Sequence, residues 1–156
     1  MKLTQSPKIF GTYKFFSIDK KTKYKKMIGF RKNIITNTCL NNTALSFIGT
    51  YPTDNIIKYC AVGTDNTAVA ATDTTLGAEV HRSPYVARSN PTNGVVTIDF
   101  YITDTGVTTI EEVGIFGGNT ASQYSDTGVL ISHVLWDYDK SSSEELLIQY
   151  TITISQ

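Results

Sequence analysis

The residues able to do acid–base chemistry in this chain are few and scattered. Glu79, Glu111 and Glu112 supply carboxylates, Arg82 and Arg88 supply guanidinium groups, and His81 and His133 are the two imidazoles. A glycosidase-type reaction needs two carboxylates flanking one bond, and the sequence fixes no such separation. Neighbouring residues of a strand project to opposite faces, so only one of Glu111 and Glu112 can be buried. A buried glutamate needs a cation or several hydrogen-bond donors beside it. Arg82 and Arg88 are among the very few basic residues after position 32. Glu79, Arg82 and Glu112 therefore read as members of structural ion pairs rather than as catalysts.

Other chemistries lack their ligands. His81 and His133 stand 52 residues apart with no cysteine or acid at ligand spacing, whereas zinc needs three or four ligands. Asp65, Asn66 and Asp73 share a loop with alanines where calcium ligands would be required. No phosphate-binding loop, Gly-x-Ser-x-Gly turn or Cys/His nucleophile pair is present. Cys39 and Cys60 do not make a disulfide framework and read as reduced, small hydrophobes. No catalytic residue, metal or cofactor is expected.

The elements that would position these groups are mostly strands. Ile9–Ile18 and Lys23–Arg31, rich in aromatic and β-branched residues, flank the polar turn Asp19-Lys20-Lys21-Thr22 and predict an N-terminal hairpin. The alternation of its second strand is imperfect. Asn37–Ile48 predicts the one helix, with Asn37 as N-cap, Gly49 as stop, and Leu40, Ala44, Leu45, Phe47 and Ile48 as an apolar stripe. Ile56–Val62 reads as a buried strand and Gly63–Thr75 as a loop. Strands follow at Ala78–Arg88, Val95–Thr103, Ile110–Phe116, Gly128–Trp136 and Glu145–Ile154. Pro84 marks an edge or a bend in the first of these. In the last, Leu146, Ile148, Tyr150, Ile152 and Ile154 share one face. Short strands at regular spacing predict a mainly β protein: an antiparallel β-sandwich with an N-terminal hairpin and one short helix.

At 156 residues the chain fits one domain, with 40% hydrophobic and 18% charged residues. No apolar run reaches the roughly 18 residues of a membrane span, and MKLTQSPKIF has no apolar core typical of a signal peptide. The zero net charge hides an asymmetry. Residues 1–32 hold ten of the fourteen Lys and Arg and a single acid, Asp19, for a net +9; the other 124 residues carry −9. This divides the domain into a basic hairpin arm, 1–32, and a sandwich body, 33–156, that contains the helix.

Lys20, Lys21, Lys23, Lys25, Lys26, Arg31 and Lys32 concentrate that charge, interleaved with Tyr24 and Phe30. Three readings are open: protein docking, a solvated edge that resists aggregation, and phosphate binding with base stacking. A +9 arm and a −9 body are complementary, which favours docking of the arm of one subunit on the body of the next. Nucleic acid is the less favoured partner.

The order of motifs adds a resemblance. Gly11-Thr12-Tyr13 precedes Lys32-Asn33-Ile34-Ile35-Thr36-Asn37, then Tyr59-Cys60-Ala61-Val62-Gly63-Thr64. Next come Asp73-Thr74-Thr75-Leu76-Gly77-Ala78-Glu79 with Arg82, and Ile110-Glu111-Glu112-Val113-Gly114-Ile115-Phe116. Gly128-Val129-Leu130-Ile131-Ser132 and the terminal Thr/Ile strand close the series. From Gly11 to Ile154 the chain resembles a family of small virion proteins of tailed bacteriophages, described as tail-fibre, tail-appendage or head-fibre proteins.

The resemblance implies a non-enzymatic virion structural protein, assembled in the host bacterial cytoplasm. It would be an oligomeric adaptor or appendage component of the tail, neck or head surface. Copies of itself and other virion proteins (portal or neck, tail, baseplate, capsid) would be its partners. The alternative is a host-receptor or carbohydrate-binding module, with Tyr51, Tyr124, Trp136 and Tyr138 as a platform for a host surface glycan; the favoured reading of these four is as core or interface residues, since large aromatics are commonly buried. Two features depart from the family. Gly117–Thr127 is lengthened, with Asn119 and Tyr124 marking an exposed loop tip, and the basic density of Lys20–Lys32 is not a family trait.

Overall fold

The computed structural model describes residues 8–50 and 54–155. Tyr51, one of the four aromatic residues of the sugar-platform reading, lies outside them. Among the described residues nine strands and one helix follow in the order β1 (Lys8–Asp19), β2 (Lys25–Lys32), β3 (Ile34–Ile35), α1 (Asn37–Ser46), β4 (Ile57–Gly63), β5 (Glu79–Thr92), β6 (Val95–Ile102), β7 (Thr109–Gly117), β8 (Val129–Asp139) and β9 (Glu144–Ser155). The strand order is β2-β1-β9-β6-β5-β4-β7-β8-β3, with antiparallel pairing at every step.

This is the mainly β, antiparallel architecture that strand spacing predicts, with one refinement. The two layers share a strand. The first part of β5 pairs with β4, where Tyr59 opposes Pro84, and the rest pairs with β6, where Tyr85 opposes Phe100. Proline has no N–H to offer a ladder, and Pro84 falls where β5 changes partners. A single sheet thus folds over on itself, nearly closed into a barrel.

The core lies between the two halves. Tyr13, Phe15, Ile98, Phe100, Leu146, Ile148 and Tyr150 face Cys60, Val62, Val113, Ile115, Val134 and Trp136. The predicted inward face of β9 supplies Leu146, Ile148 and Tyr150, while Ile154 at its end is exposed. Along the seam where the sheet does not close, side chains bridge the gap. Phe15 stacks on Trp136 at 3.8 Å, Trp136 on Tyr138 at 4.8 Å, and Tyr13 Oη lies 2.7 Å from Ser132 Oγ.

The hairpin is continuous with this sheet, because β1 pairs with β9 from Lys8↔Ser155 to Asp19↔Glu144. Its second strand carries a bulge: Phe15 opposes Gly29 and Phe16 opposes Met27, leaving Ile28 as the extra residue. The bulge is the reason for the imperfect alternation.

Two expectations for the helix are corrected. Its N-cap is Thr36, whose Oγ1 accepts the Cys39 N–H at 3.3 Å, with Asn37 as the first helical residue. The expected apolar stripe does not face the core. Cys39 and Asn42 are the buried helical residues, whereas Leu40, Phe47 (86% exposed) and Ile48 (75%) face outward. The helix docks through polar groups instead. Asn55 Nδ2 donates to Cys39 O at 3.0 Å and to Thr43 Oγ1 at 2.8 Å.

Candidate functional site

Two loops, 64–78 and 118–128, fold over the outer face of the β4–β7–β8 layer. They convert a face that would otherwise meet water into a second buried layer. Leu76, from the first loop, packs with Ala61, Phe116 and Leu130. Polar networks on either side of this cluster hold the loops down.

The first network centres on Glu112, 1% exposed. β8 carries a bulge opposite Ile110–Glu112, and the Glu112 carboxylate lies beneath loop 64–78. Its Oε1 accepts the Ala78 N–H at 2.8 Å, and its Oε2 accepts the Gly77 N–H at 3.0 Å and lies 3.0 Å from His133 Nε2. The backbone of Gly63 touches this carboxylate, leaving no room for a Cβ. His133 sits on β8 opposite Gly114, and its Nδ1 lies 2.8 Å from Asp73 Oδ2. Asp73 also accepts the Ala70 N–H at 2.8 Å.

An imidazole between two carboxylates can donate to both only when both nitrogens carry protons. Burial opposes that charge on His133, but the hydrogen bonds and charges of Glu112 and Asp73 outweigh burial and raise its pKa. For Glu112, burial pushes upward. The His133 hydrogen bond and the two backbone donors outweigh it and hold the carboxyl below its ordinary range. The three side chains form a carboxylate–imidazolium–carboxylate clamp between the loop and two strands.

The second network belongs to Arg82. Its Nε donates to Glu79 Oε1 at 2.6 Å and its Nη2 to Glu79 Oε2 at 2.7 Å, with both side chains buried. Nη1 donates to the carbonyls of Ser122 at 3.1 Å and Thr127 at 3.0 Å in the second loop. The guanidinium lies over the Phe116 ring, 4.3 Å from its centre. Arg82 thus joins a bidentate ion pair, a loop and an aromatic face.

These arrangements commit the buried side chains to one another. Both nitrogens of His133 are committed to carboxylates, so neither presents a lone pair for proton abstraction. Burial pushes the thiol of Cys39 up to about 11 and raises that of Cys60 further, which keeps both protonated. No group of three or more His, Cys, Asp and Glu side chains is arranged to hold a metal among the described residues. Two clefts border the networks. One, of about 350 Å³, lies against loop 64–78 and includes Asp65, Asp73 and His133. The other, of about 400 Å³, lies between β5 and loop 118–128 and includes His81, Gln123 and Tyr124.

The remaining sequence-selected residues lie elsewhere. Lys21, Lys23, Lys25, Lys26, Arg31 and Lys32 are all exposed on the hairpin. Lys20 anchors its turn, donating through Nζ to Ser142 O at 2.9 Å and through its backbone N–H to Ser143 O at 2.9 Å. Among the described residues, no amine or guanidinium of the hairpin has a carboxylate at ion-pair distance. Asn119 and Tyr124 are exposed on loop 118–128, Tyr124 at 69%. Trp136 is sealed in the core and Tyr138 stacks on it, so the four-residue aromatic platform does not form.

Sequence reasoning did not find the partnership of Asp73 and His133 with Glu112. The three lie on separate elements, and only the pairing of β7 with β8 and the return of the loop bring them together. Lys140, in the polar turn that follows β8, is buried and donates to Asp104 O at 2.9 Å.

No family model, curated protein or solved structure matches this chain.

Proposed function

We propose that this chain is a non-enzymatic structural protein of a tailed-bacteriophage virion, an oligomeric adaptor or appendage component at the tail, neck or head surface. The observation that carries this reading is the exposed basic hairpin, whose cations have no carboxylate at ion-pair distance among the described residues while the body bears the opposite charge. Complementary charge of this kind steers and orients association. The order of motifs from Gly11 to Ile154 supports the same reading, and the clamped loops supply rigid surfaces suited to assembly.

The test is the protein content of purified particles, followed by extraction over a salt series. The chain should be present, and raised salt should release it, because screening weakens contacts between exposed charges. Absence from particles, or a salt-indifferent monomer, refutes the proposal.

A second reading, recognition of a host-surface glycan, draws on one observation: Tyr124 stands exposed at the rim of the cleft that also contains Gln123 and His81. An aromatic face beside hydrogen-bonding groups suits a sugar ring. Binding of the isolated domain to host cells, lost in Tyr124→Ala, would favour it over the structural role.

A further inference from the structure

From the charge and exposure of β2, we infer that its open edge accepts an extended acidic segment of another protein as an added strand. The inference rests on the attachment role proposed for the hairpin and specifies the partner.

Among the described residues β2 ends the strand order, with β1 as its one hydrogen-bonded strand neighbour. Main-chain groups along such an edge can bond an incoming strand. The eight residues have a definite pattern: Lys25 and Lys26 at one end, Arg31 and Lys32 at the other, and Met27 and Phe30 exposed between them. A complementary strand carries acids at both ends and apolar residues in its middle.

The same pattern rejects a second copy of β2. Laid antiparallel about the midpoint between Ile28 and Gly29, it would set Lys25 opposite Lys32 and Lys26 opposite Arg31. Like charges directly opposite destabilise a strand pair. Glu144 and Glu145 begin β9, which is already paired on both sides with β1 and β6, and Glu111 and Glu112 lie in β7, between β4 and β8. The edge is thus selective, repelling its own kind while matching an acidic partner. Nucleic acid fits less well. Successive residues of a strand point to opposite faces, so Lys25 and Lys26 do not form one continuous row for a phosphate backbone, and Met27 and Phe30 would have no counterpart.

The test uses the full chain and a labelled peptide, EEVTIVEE, with three comparators: a scrambled peptide, one with proline at a central position, and single-stranded DNA. Binding to EEVTIVEE should weaken at least about tenfold from low to high salt. It should be lost with the central proline, which removes a ladder hydrogen bond. The double variant Lys25→Glu/Lys26→Glu should lose EEVTIVEE and gain EEVTIVKK, in which the cations meet the new acids in the antiparallel register. Equal binding of the proline and scrambled peptides would overturn strand addition in favour of diffuse attraction. Displacement by DNA at matched concentration would overturn it in favour of nucleic acid, and no binding at all would overturn it outright. If the variant does not fold, the proline and DNA comparisons on the unaltered chain still decide. A chain that is salt-extractable from particles yet binds no acidic strand refutes this inference alone.

Discussion

Replacing Glu112 with glutamine keeps the shape of the side chain and removes what the clamp depends on. The carboxylate faces the N–H groups of Gly77 and Ala78 and Nε2 of His133. An amide offers one oxygen and an NH2 group. In either orientation the NH2 meets a donor, and His133 loses one of its two counter-charges. Breaking a buried charge pair by removing one partner costs roughly 3–5 kcal/mol. For a domain of this size each kcal/mol corresponds to about 2–4 °C of melting temperature, so Glu112→Gln should lower it by on the order of 10 °C near pH 6.

The difference between wild type and variant should also depend on pH. The folded pKa of His133 lies above its unfolded value, so its contribution is complete below about 6.5 and is lost as pH rises through the folded value. That of Glu112 lies below its unfolded value, so its contribution is present above about 4.3 and is lost as pH falls through the folded value. The gap should therefore be widest between those two unfolded values and should narrow on both sides. Urea unfolding across pH, with hydrogen exchange at the Gly77 and Ala78 amides, measures both effects. A variant within about 0.5 kcal/mol of wild type, or a gap that does not change with pH, refutes the clamp.

Arg82→Met keeps much of the side-chain volume but leaves Glu79 buried without its cation. We expect a loss of roughly 3–5 kcal/mol and faster exchange or proteolysis in loop 118–128. Trp136→Ala should cost about 3–5 kcal/mol in denaturant unfolding and abolish most of the near-ultraviolet circular dichroism from the aromatic stack. Phe47→Ser, at an exposed helix end, should leave stability within about 0.5 kcal/mol; a large loss would mean that Phe47 is covered.

The fold was legible where sequence pattern and burial coincide. The alternation of β9 identified Leu146, Ile148 and Tyr150 as core, and Pro84 marked the bend where β5 changes partners. The helix misled because it docks through Asn42, Thr43 and Cys39. An apolar stripe read by spacing assumes that hydrophobic side chains supply the contact, and Asn55 supplies it here. In the candidate site, residue chemistry indicated that Glu112 needs a partner, since a buried carboxylate cannot stand alone. Which partner it has is a matter of topology. His133 arrives through the pairing of β7 with β8, and Asp73 arrives because Leu76 pulls its loop onto the sheet.

The seam beside Trp136 gives the molecule a directional mechanical weakness. Along every other line, separating neighbouring strands means breaking a ladder of backbone hydrogen bonds. Between β2 and the far end of β8 no strand ladder runs among the described residues; stacked rings, the Tyr13–Ser132 hydroxyl contact, the Asn33–Ser132 bond and the bonds of Tyr138 to Glu144 stand in the way. A load drawing the hairpin away from the opposite layer would open the sheet there first, with each half still hydrogen-bonded. Tension on the hairpin would be met there by a side-chain zipper, with the short β3–β8 pairing as its backbone tether.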